Sequence, residues 1–241
     1  MSGCGVTRSF KNHKEERGEN PMTERELVDQ KIRTFMDNLW EQGDPWDFES
    51  SAYERDRCVQ LLKMLEGTRY ARVLEIGCGA GYLTRLLAPH ADQIVALDIS
   101  QTAIERARAL STRQTGVDFR VANIMEYKPQ ADGPWDLIVF SDTMCYLGWL
   151  YPFFDVAYLA VQLFDATRSG GRLMLANSMG ENDDWLLRPW IIRTYRDLFV
   201  NVGYTIETEE VYKAAKKGVE FEVLKTLYRK LPEEKSTGDV S

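Results

Sequence analysis

Between residues 72 and 176, five short apolar runs alternate with stretches of helical period. The runs fall at 72–76, 93–97, 117–121, 136–140 and 171–176, and the helical stretches at 81–88, 100–111 and 151–168. Parallel strands need long crossovers, and crossover helices cover both faces of the sheet, so the strands between them read as near-continuous apolar runs. The pattern therefore predicts an α/β fold with three layers, helix, sheet and helix. A further helix is expected near 189–201, followed by strand-like runs at 204–211 and 220–227. The polar turn between these two runs contains Lys216, Lys217 and Gly218, a connection short enough for an antiparallel hairpin. The expected sheet is thus mostly parallel with an antiparallel last strand.

Two helices precede the sheet. Thr23 and Glu26 have capping-box spacing, and Leu27, Val28, Ile32, Phe35, Met36, Leu39 and Trp40 follow at helical intervals, giving a helix over 23–41. Gly43, Asp44 and Pro45 break it. A second box, Ser51 to Glu54, opens a helix whose apolar face holds Tyr53, Cys58, Leu61, Leu62 and Leu65, with its end at Gly67. The expected organisation is a flexible tail over 1–20, a helical lid over 21–66, one α/β domain over 67–230 and a second flexible tail over 231–241.

Composition narrows the function classes. At 241 residues the chain is long enough to bury a full core without disulfides. Its net charge of -7 argues against nucleic acid, whose binders draw most of their affinity from neutralising phosphates. Cys4, Cys58, Cys78 and Cys145 form no C-x-x-C pair, so they read as reduced thiols of a cytoplasmic protein, and no metal is expected. With only His13 and His90 present, a histidine-based triad is disfavoured. No apolar run is long enough for a membrane span. The oligomeric state is not readable.

The stretch VLEIGCGAGYLT, residues 73–84, joins the first strand to the first crossover helix. Gly77, Gly79 and Gly81 permit a sharp turn and close approach of a ligand to the backbone, and the helix that follows directs N–H groups at it. A dinucleotide fingerprint, G-x-G-x-x-G, would need glycine where Tyr82 stands. Glu75, two residues before Gly77, suits a ligand with an ammonium group better than one with a pyrophosphate. Asp98 ends the second strand, 21 residues after Gly77, near the separation of an acid that bonds ribose hydroxyls. It has a structural alternative, bracing the helix that Ser100 caps. An ammonium and a ribose without a phosphate describe S-adenosylmethionine, and Glu75–Gly81 resembles motif I of the class I methyltransferases. That resemblance implies a Rossmann-like sheet, an adenine corner at Asn123 and Ile124, and a cofactor shell that includes Cys78, Tyr82, Ile99 and Ser141.

The fourth strand exits through Ser141, Asp142, Thr143 and Met144, opposite the glycine loop. No [N/D]-P-P-[Y/F] motif occurs there, which argues against planar amide or nucleobase nitrogens as methyl acceptors. Asp142 is the candidate to orient an acceptor and take its proton, with bracing of the loop as the alternative. Tyr146 joins it as a catalytic candidate. Trp149 and Tyr151 are either pocket walls or core, and Asn177 is a further pocket candidate. Methyl transfer from a sulfonium needs in-line alignment and exclusion of water, and an amine can attack once deprotonated, whereas a hydroxyl usually needs a base.

The segment DPWDFESSAYERDR, residues 44–57, together with SDTMCYL at 141–147, resembles the nodulation protein S family of N-methyltransferases over roughly residues 40 to 180. The resemblance implies that Trp46 and Tyr53 flank the cofactor and that Arg57 pairs with its carboxylate. It also implies an amino sugar or similar small-molecule amine as acceptor, since that family methylates the free amino group of a glucosamine unit in a chito-oligosaccharide. The alternatives are a natural-product O-methyltransferase, a nicotinamide-dependent oxidoreductase and a non-catalytic cofactor-binding module.

Overall fold

The computed structural model describes residues 23–181 and 186–232. Cys4, His13, the N-terminal tail and the C-terminal tail beyond 232 lie outside the described residues.

Two helices come first, α1 (Glu24–Glu41) and α2 (Ala52–Lys63). The alternating body follows: β1 (Tyr70–Ile76), α3 (Tyr82–Leu87), β2 (Ala91–Asp98), α4 (Gln101–Leu110), β3 (Val117–Val121), the single turn α5 (Pro129–Asp132) and β4 (Trp135–Ser141). Then come α6 (Met144–Leu150), α7 (Phe153–Ala166), β5 (Thr167–Met179), α8 (Pro189–Asn201), β6 (Thr205–Lys216) and β7 (Val219–Arg229). The strands form one sheet in the order β3-β2-β1-β4-β5-β7-β6. The first five are parallel, and β7 runs antiparallel to both β5 and β6. This is the expected fold class.

Both faces of the sheet are covered. On one, Leu74, Ile76, Ile138 and Phe140 pack with Val156, Leu159 and Leu163 of α7 and Phe199 of α8. On the other, Val73, Leu137 and Val139 pack with Leu61 of α2, Leu83 and Leu87 of α3 and Ile104 of α4. Successive residues of β1 thus enter opposite layers, as the two-residue period of a strand requires. The chain leaves β1 toward β2 on one side and reaches β4 on the other. The crevice opens where these directions diverge, at the carboxyl ends of the strands.

The capping box of α1 is complete: Glu26 N donates to Thr23 Oγ1 at 3.3 Å and Thr23 N to Glu26 Oε2 at 2.7 Å. The second expected box is only half made. Ser51 caps α2, accepting from Glu54 N at 3.4 Å, but the Glu54 carboxylate turns inward to two cations and does not reach back. Other boundaries differ from expectation: α2 ends at Lys63, short of Gly67, and β5 runs from Thr167 to Met179, wider than 171–176. The helix expected from 151 begins at Phe153, because a residue before proline is driven out of the helical region and Tyr151 has ψ 149°. A separate helix, α6, occupies what reads in the sequence as a plain strand exit. The strand expected to stop near 211 continues to Lys216, and a two-residue turn at Lys217 (φ 51°) and Gly218 (φ 81°) closes the hairpin. Pairing of β5 with β7 stops at Met179 and Glu222, so the hairpin tip projects beyond the sheet.

Candidate active site

A cavity of about 380 Å³ lies at the carboxyl ends of the strands, within the size range of small-molecule sites. Its walls combine the glycine loop, the ends of β2, β3 and β4, one face of α1, the start of α2, and the tip of the β6–β7 hairpin.

Backbone geometry builds the first end. Gly77 (φ 77°) and Gly79 (φ 51°) are left-handed, where a side chain is strained. A Cβ on Gly77 would lie 2.1 Å from Thr143 Oγ1, and that hydroxyl donates to Ile76 O at 3.0 Å, pinning the β1 and β4 exits together. A Cβ on Gly79 would lie 2.8 Å from the Trp40 ring, so α1 rests directly on the loop. Gly79 N donates to Asp98 Oδ2 and Ser100 N to Asp98 Oδ1, each at 2.9 Å. Asp98 therefore braces two turns while each of its oxygens keeps a second acceptor site for a ligand. Burial pushes its carboxyl above the ordinary range.

Helix α1 is fastened along this end. Asp37 accepts from Ser100 Oγ at 2.6 Å, and Arg33 donates to Ile99 O at 3.3 Å. Asp29 Oδ1 accepts from Asn123 Nδ2 at 2.9 Å and from the Tyr151 hydroxyl at 2.5 Å. Asn123 Oδ1 accepts from Met125 N at 3.0 Å, which leaves one acceptor site facing the ligand corner beside Ile124.

Charged side chains build the second end. Arg57, 3% exposed, meets Glu54 Oε2 through Nε at 3.0 Å and Nη2 at 2.8 Å, Ser141 Oγ through Nη1 at 2.8 Å, and Asp142 through an ion pair. Lys216 Nζ closes the set on Glu54 Oε1 at 2.6 Å and Trp46 O at 2.7 Å. Two cations thus balance two carboxylates. Burial works against the guanidinium charge, but Asp142 and Glu54 hold it above its ordinary range. Asp142 has φ 50°, and its Oδ1 accepts from Ser178 N at 2.6 Å.

Most residues expected from the sequence line this one cavity: Trp46, Tyr53, Arg57, Gly77, Cys78, Gly79, Asp98, Ile99, Asn123, Ile124, Ser141, Asp142 and Tyr146. Glu75, Gly81 and Tyr82 do not. Glu75 shares the Val73 face of β1, so its side chain enters the layer beneath α3 and lines a separate void of about 30 Å³, together with Tyr82. There Glu75 Oε2 is buried with no hydrogen-bonding partner, and burial pushes the carboxyl up to about 8. Gly81 caps α3, facing Phe119. Arg57 has four of its five N–H donors engaged by the chain, so it lacks the free pair needed for a bidentate grip on a cofactor carboxylate. Asp142 is held as a brace of the loop, its Oδ1 accepting from Ser178 N and its Oδ2 paired with the buried Arg57.

The aromatic candidates also separate. Tyr151 is both buried and cavity-lining, whereas Trp149 is 50% exposed and belongs to neither wall nor core. Asn177 is buried behind the wall, its amide atoms without partners. Burial raises the Tyr146 phenol, so it stays protonated. Sequence reading missed Ile32, Met36 and Trp40 as lining residues, although their shared helical face was visible. It also missed Ser178, Leu186, Leu187, Lys216 and Phe221, whose distance along the chain hides them.

The family described as nodulation protein S matches residues 29–154, just over half of the chain. The chain belongs to the nodulation protein S family. The nodulation protein S of Rhizobium tropici is 29% identical over 144 residues, covering 58% of this chain and 57% of that protein. That of Bradyrhizobium diazoefficiens is 33% identical over 106 residues, covering 43% and 49%. The chain thus spans about half the length of these relatives. A crystal structure of N-methyltransferase NodS from Bradyrhizobium japonicum WM9 in complex with S-adenosyl-L-homocysteine shares the fold, at 23% identity and TM-score 0.68, covering 84% of this chain and 98% of that one. The nodulation protein S match contains the glycine loop, Asp98, Asn123, Arg57 and Asp142; Ser178, Leu186, Leu187, Lys216 and Phe221 lie outside it.

Proposed function

We propose that this chain is an S-adenosylmethionine-dependent methyltransferase acting on the nitrogen of a small molecule. The observation that carries the proposal is the cavity end where Gly77 and Gly79 present backbone to a ligand beside Asp98, under the cover of α1. The acceptor sites left on Asp98 suit ribose hydroxyls, and the corner of Ile99, Asn123 and Ile124 suits adenine, apolar on its face with one polar acceptor at its edge. Glu75, buried one layer behind the loop with its Oε2 unpartnered, suits a cationic group reached through the water-sized void beside it.

When bound, S-adenosylmethionine supplies an electrophilic methyl on a sulfonium. The chain's own part is to hold, align and keep dry. Trp40 and Met36 of α1 shield the loop from solvent, and Tyr146 can donate a hydrogen bond toward the acceptor. Nitrogen is favoured over oxygen as the acceptor because, among the described lining residues, none is free to act as a base. Asp142 and Glu54 are ion-paired, Asp98 is bonded to backbone N–H groups, and Tyr146 keeps its proton. No described helix is long and apolar enough to cross a membrane, and the buried free thiols Cys58, Cys78 and Cys145 support the cytoplasm as its location.

Calorimetry with S-adenosyl-L-homocysteine and with NAD tests the cofactor. Binding of the first and not of the second is expected, and the reverse would leave an oxidoreductase. Transfer of label from S-adenosylmethionine to an O-methyl product would replace the nitrogen assignment.

A further inference from the structure

We infer that Asp29, on helix α1, is a positioning residue that makes the nucleobase corner selective for a 6-aminopurine, by holding the Asn123 amide with its carbonyl toward the base; this rests on the S-adenosylmethionine reading above. The two ends of a primary amide have the same shape, so Asn123 alone could present either a donor or an acceptor to a ligand. Its partners decide which. Asn123 follows the end of β3 and lines the cavity beside Ile124, whereas Asp29 lies 94 residues earlier in the chain and reaches Asn123 from behind the wall.

Both amide hydrogens of Asn123 are taken. Nδ2 donates to Asp29 Oδ1 and to the Tyr151 hydroxyl, each at 2.9 Å. That hydroxyl donates in turn to the same Asp29 oxygen at 2.5 Å. A carboxylate oxygen accepts, so it draws in the NH2 end of the amide and repels the carbonyl. It also takes the Tyr151 proton, which leaves the phenol oxygen facing Asn123 as an acceptor. Burial, with Asp29 beside it, holds that phenol above its ordinary range, so the proton stays. Two of the contacts that select the amide's orientation thus depend on Asp29. The third, Met125 N donating to Asn123 Oδ1 at 3.0 Å, agrees with them.

Asp29 is an expensive way to fill this place. Asp29, Asn123 and Tyr151 are all buried, and Asp29 Oδ2 has no hydrogen-bonding partner. A buried acceptor left unpaired is destabilising, and an apolar side chain at 29 would avoid that loss. What the carboxylate accomplishes is the orientation of one amide. The remaining lone pair of Asn123 Oδ1 faces the corner. There the amino group of adenine can donate to it, whereas the carbonyl of hypoxanthine would meet it acceptor to acceptor.

The test is titration calorimetry of the full chain at pH 7 with S-adenosyl-L-homocysteine and its deaminated analogue, S-inosyl-L-homocysteine. Failure of the wild-type chain to bind the first would remove the underlying reading instead of this one. A preference for the first of about tenfold or more is expected. Asp29→Asn keeps the side chain's size but lets it donate, so Asn123 can turn over. The preference is expected to fall to about a third or less of the wild-type ratio, while S-adenosyl-L-homocysteine still binds. Asn123→Asp sets two carboxylates together, and S-adenosyl-L-homocysteine is expected to bind about tenfold more weakly or worse. Exchanging both, Asp29→Asn with Asn123→Asp, restores one amide and one carboxylate, so affinity and preference should both return. A residue needed only for folding would lower the two affinities alike and leave their ratio unchanged. A wild-type preference short of about tenfold would overturn the inference, and so would an Asp29→Asn chain that keeps more than a third of the wild-type ratio. If Asp29→Asn binds neither ligand, the double exchange decides: affinity no better than that of Asn123→Asp alone would overturn the inference as well.

Discussion

The two ends of the cavity are built from different materials. The end proposed for the cofactor is largely backbone: left-handed glycines, two N–H groups held by Asp98, and a tryptophan lying on the turn. The opposite end, proposed for the acceptor, is largely side chain, with Arg57, Glu54, Asp142 and Lys216 drawn from α2, the β4 exit and a distant hairpin. Backbone geometry tolerates few substitutions, because most side chains are excluded from it. A charge set tolerates paired replacement but not single removal, because a lone buried ion keeps its desolvation cost without its partner.

The contrast can be broken, the largest effect being at the cofactor end. Gly79→Arg places a side chain against Trp40 at φ 51°, and S-adenosyl-L-homocysteine affinity is expected to fall at least a hundredfold by calorimetry. Retained affinity would mean the loop is not the ligand's cradle. Arg57→Met strands Asp142 and half of Glu54's pairing, and urea unfolding is expected to show a loss of about 3–5 kcal/mol. Adding Asp142→Asn should recover part of it. A loss below about 1 kcal/mol would show that the charges do not hold this end together.

Glu75→Gln sharpens the picture through pH. The folded carboxyl sits near 8 against an ordinary value of 4.5, so the folded chain holds its proton where the unfolded chain has released it. Stability of the unliganded protein should therefore fall as pH rises from about 4.5 through 8, by on the order of a few kcal/mol. The glutamine variant should lack that slope and be the more stable at pH 8.5 in scanning calorimetry. Lys216→Met is expected to cost least, about 1 kcal/mol, because Lys216 is partly exposed and Arg57 still pairs with Glu54.

Legibility in the sequence follows the same division. Strands β1 to β4 were visible because each is a compact apolar run, and Ser100 was a readable cap because its hydroxyl accepts from Ala103 N at 3.1 Å. The glycine loop is one contiguous stretch, so its spacing carries its geometry. Glu75 was visible as an acid but its placement was not, since the strand's alternation sends it behind the loop. The roles of Arg57 and Asp142 were hidden because they lie 85 residues apart and choose each other over a ligand. Lys216 and Phe221 carry no local signal at all; only the length of β6 and β7 brings them to the cavity.

Beyond Met179 and Glu222 the backbone of the hairpin tip pairs only with itself, and the tip meets the rest of the chain through the side chains of Lys216, Lys217 and Phe221. Its reach over the cavity can therefore change without disturbing the register of the sheet. Inserting one residue in each strand would flip the facing side chains, whereas inserting two in each would keep them and extend the tip by about 7 Å. Such a chain can lengthen, shorten or re-face one antiparallel finger and leave the glycine-loop end of the cavity untouched.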